Sequence, residues 1–292
     1  MILSASRLKN VGANALLILT TFFWGVTFVV VKDAINRVDV FVFLAQRFTL
    51  AFIILIVACP FAKRRLTRYT LSRGLLLGLM LFGGFALQTL ALLHTSASNT
   101  AFLTGLNVVF VPLLSSLVFK QKIVFTLKAG VVFAFTGLYL LCAKQGWALN
   151  GGDILGLLCA MFIAIHIIYT GRYVGACDIY WLTTLQIGMI AFLSILFALG
   201  TGQKVFVFHR EILTALIICV IFATVFAYLV QTTMQQYISP SNTALIFCME
   251  PVFAALCAFV ISGEHLGIRG LIGAAFILFG MGLSQVTFPE KS

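Results

Sequence analysis

The sequence predicts an all-α integral membrane protein in which ten transmembrane helices form two inverted five-helix repeats. Three observations lead to this fold class. Apolar residues (AVILMFWYC) make up 62% of the 292 residues and charged residues only 9%, whereas charged residues are ~25% of an ordinary soluble domain. Ten apolar runs have the length of a membrane-spanning helix, and polar residues of the first half recur in the second half.

A helix needs about 20 apolar residues to cross the ~30 Å hydrocarbon layer of a bilayer. The ten runs of about this length are 13–35, 40–59, 74–93, 97–118, 124–142, 154–173, 179–199, 211–236, 241–261 and 268–287. They lack the alternating period of two that a lipid-facing strand shows, which favours helices over a β-barrel. The first run is longer than a signal-peptide core and ends in Val-Lys-Asp, so we expect it to be a retained helix.

Basic residues predict the orientation of these helices. With the N-terminus inside, the cytoplasmic segments carry twelve Lys and Arg and the opposite segments six, while Arg47 lies within a predicted helix. The positive-inside rule therefore predicts that both termini are cytoplasmic. The densest basic cluster, 63–73, is either a topology signal alone or a contact for anionic lipid or a partner.

The two halves of the chain align without gaps at a shift of 143 residues. The polar matches join Gln88, Thr89, Ser96, Ser98, Asn99 and Thr100 to Gln231, Thr232, Ser239, Ser241, Asn242 and Thr243. We therefore divide the chain into repeats 1–143 and 144–292, with five predicted helices each. Because five is odd, the second repeat enters the membrane from the opposite side, an arrangement typical of transporters that work by alternating access.

Composition and motifs argue against several other classes. The seven cysteines, an odd number without a CxxC pair, indicate neither a disulfide framework nor a zinc site. The four histidines have no HExxH or similar metal-ligand spacing, and no GxxxxGK[ST] nucleotide-binding motif is present. The net charge of +11 does not indicate nucleic-acid binding, because apolar runs separate the basic residues. We expect no metal, no cofactor and no nucleic-acid partner.

Four segments resemble EamA-type transporters of the drug/metabolite transporter superfamily, and the resemblance covers essentially the whole chain. They are FWGVTFVVVK (23–32) with the later Arg47-Phe48 pair, TSASNTAFLTGLNVVFVPLLSSL (95–117), SPSNTALIFCMEPVFAALCAFVISGE (239–264) and RGLIGAAFILFGMGLS (269–284). The resemblance implies a central cavity lined mainly by helices 1, 3, 4, 6, 8 and 9, with helices 5 and 10 peripheral. It also implies a bacterial-type inner (plasma) membrane and small metabolites such as amino acids as substrates, and it leaves direction open.

Glu250 is the one acidic residue near the centre of a predicted helix. A charge at this depth costs at least ~2.5–3.5 kcal/mol on insertion scales, so an intramembrane carboxyl suggests a function. Glu250 would bind a substrate ammonium group or carry a coupling proton; the alternative is a structural, hydrogen-bonded carboxyl. Its repeat partner is Asn107, which cannot titrate, so any acidic coupling is confined to one half.

Two basic residues lie towards the outer ends of the first two predicted helices. Arg47 is the better candidate for a substrate carboxylate because its planar guanidinium can donate two parallel hydrogen bonds. Lys32 and Arg47 would otherwise extend to the membrane surface. Glu250 and Arg47 together suit a zwitterionic substrate if they reach the same cavity, which the sequence leaves open.

Polar and aromatic residues on the helices that the resemblance places around the cavity complete the candidate binding site. They are Trp24, Phe28, Gln88, His166, Tyr169, Tyr228 and Gln231. Aromatic walls with a few polar groups are typical of small-molecule sites. Each of these side chains has packing or an interhelical hydrogen bond as its alternative role.

Two prolines and two small-residue pairs predict local features of the helices. Pro112 and Pro251 each remove a backbone donor, which predicts a break that either lines a site or serves packing. The pairs Gly74/Gly78 and Gly130/Ala134 place small residues four apart, which predicts close helix packing.

The leading hypothesis is a secondary transporter that moves small polar or amphipathic metabolites, amino acids or related compounds first, by alternating access. The alternative within transport is efflux of hydrophobic cationic drugs. From other classes, an intramembrane enzyme would need a catalytic dyad or triad that the sequence does not reveal. A receptor or scaffold is compatible with the repeat but is disfavoured because we expect no soluble domain. The expected partners are a small-molecule substrate and the lipid bilayer. A coupling proton or other ion, and a monomer or homodimer, stay open.

Overall fold

The computed structural model describes residues 5–58, 66–95, 97–120, 123–142, 150–205, 210–262 and 267–284, and within these ranges the chain contains helices and no strand. The ten helices are α1 Ala5–Ile35, α2 Val40–Ala58, α3 Arg68–His94, α4 in two segments, Ala97–Gly105 and Asn107–Phe119, α5 Phe125–Cys142, α6 Gly151–Tyr173, α7 Ile179–Gly200, α8 Arg210–Met234, α9 in two segments, Pro240–Phe247 and Met249–Ser262, and α10 Ile268–Ser284. Position 59 of the second predicted run and 285–287 of the last lie outside the described residues.

The predicted fold class is confirmed, with ten helices in the predicted order. Eight of them are long and apolar enough to cross a membrane, with mean hydropathies between 1.2 and 2.7. The two shorter apolar helices are α5 and α10, which the resemblance placed at the periphery.

Aspartate caps reveal a second register between the two repeats. Asp39 accepts hydrogen bonds from the backbone N–H groups of Phe41 and Val42 at 2.8 and 3.2 Å, and Asp178 accepts one from Trp181 at 3.0 Å. Such caps satisfy donors that a helix start leaves free. Asp39 and Asp178 are 139 residues apart, so α1 and α2 match α6 and α7 at this shift, whereas the later helices match at 143.

Helices α4 and α9 are each interrupted near their middle. The interruptions fall at Leu106 and Cys248, where backbone N–H groups bond to the carbonyls three residues earlier at 3.2 Å. Pro251 lies in the first turn after the interruption, where no intrahelical donor is required. Pro112 lies inside the second segment of α4, six residues beyond the interruption, so the break in α4 precedes the proline that was expected to cause it.

Helix α8 changes its winding along its length. It begins with a short 3-10 turn, Arg210–Ile212, and contains a nine-residue π-helix, Ile218–Phe226, before it returns to α-helix at Ala227–Met234. A π-helix widens the backbone and is frequent at functional sites. Nothing in the apolar sequence of this segment predicted it.

Glycines allow α5 and α10 to approach to backbone contact. A Cβ atom on Gly137 would lie 2.5 Å from the carbonyl oxygen of Gly273, and one on Gly280 would lie 2.5 Å from that of Gly130. The 143-residue shift pairs Gly130 with Gly273 and Gly137 with Gly280. The two contacts are therefore related by the repeat, and we call this contact the glycine seam.

The other predicted small-residue pair packs against a different helix. Cβ atoms on Gly74 and Gly78 of α3 would lie 2.6 and 2.5 Å from the Cβ atoms of Leu185 and Met189 on α7. Small residues at this spacing let α3 and α7 pack closely.

Candidate functional site

A cavity of about 50 Å³ lies where seven helices meet. The lining residues are Trp24 and Thr27 of α1, Arg47 of α2, Leu81, Phe85 and Gln88 of α3, Thr104 and Asn107 of α4, Ile163 and His166 of α6, Tyr228 and Gln231 of α8, and Phe247 and Glu250 of α9. The resemblance implied six of these helices, and Arg47 adds α2.

Equivalent positions of the two repeats line this cavity together. At the 143-residue shift, the pairs are Phe85/Tyr228, Gln88/Gln231, Thr104/Phe247 and Asn107/Glu250; at the 139-residue shift, they are Trp24/Ile163 and Thr27/His166. In α4 and α9, one lining residue precedes the interruption and one follows it. The cavity therefore lies between the two repeats, at the position where inverted-repeat transporters bind substrate.

Arg47 is 3% exposed and is held by α8. Its Nε–H donates to Thr224 Oγ1 at 2.9 Å, and its Nη2 donates to the Ala223 carbonyl at 3.4 Å. Both acceptors belong to the π-helix, and the same carbonyl also accepts from Trp24 Nε1 at 3.0 Å. The wide π turn thus presents a backbone oxygen to two side chains of the cavity wall.

One edge of the Arg47 guanidinium has no hydrogen-bond partner among the described residues. The Nε and Nη2 donors on its side-on edge face α8, and the phenyl rings of Phe48 and Phe85 each lie 5.0 Å from its central carbon. Within the described residues, its remaining N–H groups have no acceptor. The Nη1–Nη2 edge can therefore hold a carboxylate through two parallel hydrogen bonds.

Glu250 lies in the first turn of the second α9 segment, where the helix dipole favours a negative charge. Helix α1 packs directly on this turn, because a Cβ atom on Gly25 would lie 2.8 Å from the Glu250 carbonyl oxygen. No ion pair to Arg47 or Glu250 is found within the described residues. A guanidinium and a carboxyl group therefore line one cavity without an ionic partner in that part of the chain.

Aromatic rings cover much of the cavity wall. The Trp24 ring centroid lies 5.0 Å from that of Phe247 and 5.6 Å from that of Tyr228, and the Phe85 and Tyr228 centroids are 6.0 Å apart. These rings provide apolar surface for the uncharged part of a substrate.

His166 lines the cavity but is tied to the helices around it. Its Nε2 lies 2.7 Å from Gln186 Oε1 on α7 and 3.2 Å from the Thr170 hydroxyl. Gln186 is the 139-residue equivalent of Arg47. The structure thus gives His166 an interhelical hydrogen bond, the alternative role that the sequence left open.

The structure brings together eight of the ten predicted binding residues, and their binding role stays a prediction. Phe28 packs instead in the apolar cluster between α1, α2 and α3. Tyr169 lies beside Tyr173, with ring centroids 5.7 Å apart, and packs against a separate cluster around Leu77. Lys32 donates to the Thr95 carbonyl at 3.4 Å and does not line the cavity.

Sequence reasoning missed several contributors to the site. Thr27 and Thr104 line the cavity, and Thr224 holds Arg47. Thr104 precedes Asn107 by about one turn, a spacing visible in the sequence, whereas the equivalence of Thr27 with His166 follows only from the register that the structure reveals. No group of three or more His, Cys, Asp or Glu in the described ranges could hold a metal ion.

Comparisons with known proteins agree with this architecture. A model of the EamA-like transporter family matches residues 12–143 and 150–285. An uncharacterized transporter of Archaeoglobus fulgidus is 33% identical over 277 residues, which is 95% of this chain and 87% of that protein. The uncharacterized transporter YyaM of Bacillus subtilis is 25% identical over 287 residues, which is 94% of this chain and 93% of that protein. A solved crystal structure covers 94% of this chain and 96% of its own, with a TM-score of 0.78 and 16% identity, a likeness of fold alone.

Proposed function

The chain belongs to the EamA-like transporter family, whose members are multi-pass membrane transporters of the drug/metabolite transporter superfamily, and we propose that it carries small zwitterionic metabolites. Amino acids and related compounds are the first candidates. The substrate passes through the central cavity by alternating access, in a plasma (inner) membrane with both protein termini on the cytoplasmic side.

The observation that carries this proposal is that the Arg47 guanidinium and the Glu250 carboxyl line one cavity, neither with an ionic partner among the described residues. A buried charge without a partner, such as Arg47, is strongly unfavourable. A molecule with one carboxylate and one ammonium group neutralises both side chains at once, whereas a simple acid or amine neutralises one. The aromatic rings between α1, α3, α8 and α9 accept the rest of such a molecule.

The pairing of equivalent residues across the cavity supports alternating access. Two similar halves surround the cavity in opposite orientations. When the two halves exchange their conformations, the cavity opens to the other side of the membrane. The interruptions of α4 and α9 at the cavity wall supply points at which each helix can bend.

Efflux of hydrophobic cationic drugs is the competing function. Glu250 and the aromatic rings fit a lipophilic cation, but such a molecule leaves Arg47 without a counter-ion. The two functions therefore differ in whether a carboxylate is required.

Counterflow in liposomes tests the proposal. Vesicles containing purified protein are loaded with an unlabelled compound, and uptake of the labelled compound is followed without an ion gradient. We expect accumulation for one or more α-amino acids, and none for the matched deaminated acid, the decarboxylated amine or a lipophilic cationic dye. Protein-free vesicles give the background. Equal accumulation of the amine or dye favours drug efflux, and no signal from any amino acid contradicts the proposal.

Replacing Glu250 with Gln keeps the side-chain shape and removes the charge. We expect counterflow of the amino acid to fall about 30-fold, because truncating one partner of a buried charge pair costs ~2 kcal/mol or more. The pH dependence of transport is compared between the wild type and Glu250→Gln. Asp33→Asn, at the exposed ion pair with Arg37, is the matched control. Unchanged transport and pH dependence in Glu250→Gln would exclude both roles of this carboxyl.

A further inference from the structure

Three hydrogen-bond acceptors on the cavity wall have no donor among the described residues. Two are amide oxygens, Asn107 Oδ1 and Gln231 Oε1, and the third is the Glu250 carboxyl group. Asn107 is 7% exposed and Gln231 1% exposed. A buried acceptor without a partner costs ~1–3 kcal/mol, so two such oxygens at one cavity call for a ligand.

Backbone carbonyls fix the orientation of both amides. Asn107 Nδ2 donates to the Thr104 carbonyl at 2.9 Å, and because a carbonyl only accepts, the other atom of this amide must be the oxygen. Gln235 Nε2 donates to the Ile167 carbonyl at 2.9 Å, which makes Gln235 Oε1 the acceptor for Gln231 Nε2 at 3.3 Å. The free atom of Gln231 is therefore also an oxygen.

The three oxygens come from both repeats. Asn107 and Glu250 occupy equivalent positions after the interruptions of α4 and α9, and Gln231 lies on α8. Two neutral oxygens and one carboxylate form a set of acceptors, whereas Arg47 supplies donors from α2. The cavity wall therefore includes acceptors on Asn107, Gln231 and Glu250 and donors on Arg47.

We propose that Asn107, Gln231 and Glu250 form a subsite for a primary ammonium group, which makes the carrier reject N-methylated zwitterions. This inference rests on the proposed function, since it specifies the cationic group of the same substrate. A primary ammonium has three N–H donors, one for each acceptor. A trimethylammonium has none and leaves both buried amide oxygens without partners. A site built to bond a donor discriminates strongly against the analogue that lacks it.

The aromatic rings of the cavity are a physical reason to expect the opposite result, that a methylated ammonium group binds as well as a primary one. A quaternary ammonium binds well against aromatic faces, and Trp24, Tyr228 and Phe247 line this cavity. If ring contacts govern recognition of the cation, methylation leaves binding unchanged or strengthens it. The methylation series therefore separates recognition by oxygens from recognition by rings.

The test is competition in the counterflow assay with L-alanine and L-leucine, each with its N-methyl and N,N,N-trimethyl derivatives. We expect the primary amino acids to compete, and the trimethyl derivatives to compete about 100-fold more weakly. Trimethyl derivatives that compete as well as their parents would overturn the subsite and leave the zwitterion proposal standing. Failure of every α-amino acid in the panel would count against the proposed function itself.

Two near-isosteric variants test the amide oxygens separately. Asn107→Leu and Gln231→Met each remove one amide oxygen, so a bound trimethyl derivative no longer leaves that oxygen without a donor. We therefore expect the preference for the primary amino acid over its trimethyl derivative to fall about tenfold in each variant. This preference is the ratio of the competition by the two compounds in the same vesicles, so it does not depend on the yield of protein. Gln236→Met, at an exposed glutamine beyond the end of α8, is the matched control. An unchanged ratio in both cavity variants would contradict the assignment.

Discussion

Replacing Arg47 with Gln will reduce counterflow of a zwitterionic substrate by about 100-fold or more. The substrate carboxylate then lies in a water-poor cavity without its cationic partner, and truncation of one member of a buried charge pair costs ~2–5 kcal/mol. The variant loses the contact with the substrate carboxylate and also the hydrogen bonds that join α2 to the π-helix of α8 at Thr224 and Ala223. The measurement is the initial rate of counterflow at matched protein content.

Arg47→Lys separates charge from geometry. Lysine keeps the positive charge but lacks the planar guanidinium that bonds Thr224 on one edge and a carboxylate on the other, so we expect an intermediate rate. Arg37→Gln, at the exposed pair with Asp33, should transport normally. If Arg47→Gln kept the wild-type rate while Glu250→Gln lost it, the substrate would be a cation without a carboxylate.

Much of this fold could be predicted because the membrane leaves few choices. Each helix must satisfy its backbone internally, so runs of about 20 apolar residues mark the ten helices, including those that contain Pro112 and Pro251. The same scarcity of polar residues explains the success in locating the cavity. In a chain with 9% charged residues, a buried Arg47, Glu250 or Gln231 stands out, and membrane proteins place such residues toward the interior.

The remaining features depend on backbone geometry that residue types do not encode. The interruptions occur at Leu106 and Cys248 rather than at a proline, and the π-helix runs through Ile218–Phe226 without any special residue. Phe28 and Thr27 are neighbours on α1, yet only Thr27 reaches the cavity. An error of one residue in helical phase, about 100°, is enough to exchange them.

The second register also escaped the alignment for a physical reason. The 143-residue shift holds for α3–α5 against α8–α10, but the earlier helices match at a shift four residues smaller. The greater length of α7, 22 residues against 19 in α2, accounts for three of these four. Caps at Asp39 and Asp178 reveal this relation once the helix starts are known. It makes Gln186 the equivalent of Arg47, just as Glu250 is the equivalent of Asn107. Each of these pairs therefore joins an ionisable side chain in one repeat to an amide in the other.

Replacing Gly137 with Val will prevent stable assembly of the two repeats and lower the yield of monodisperse protein by about tenfold or more. Even a single Cβ atom at Gly137 would lie 2.5 Å from the Gly273 carbonyl oxygen, and because that atom belongs to the backbone it cannot turn aside. Insertion of volume into a packed contact costs ~1–3 kcal/mol or more. The measurement is the monodisperse fraction on size-exclusion chromatography in detergent, with the thermal unfolding midpoint of what remains.

Gly282→Val is the matched control, because a Cβ atom on this glycine of α10 would meet nothing within 4 Å. It introduces the same β-branched side chain, so any loss from helix propensity alone appears in both variants. Gly280→Val should resemble Gly137→Val, since the repeat makes these two positions equivalent and each faces a backbone carbonyl of the partner helix. Equal yields for Gly137→Val and Gly282→Val would mean that α5 and α10 need no backbone contact. The glycine seam would then play no part in holding the repeats around the cavity.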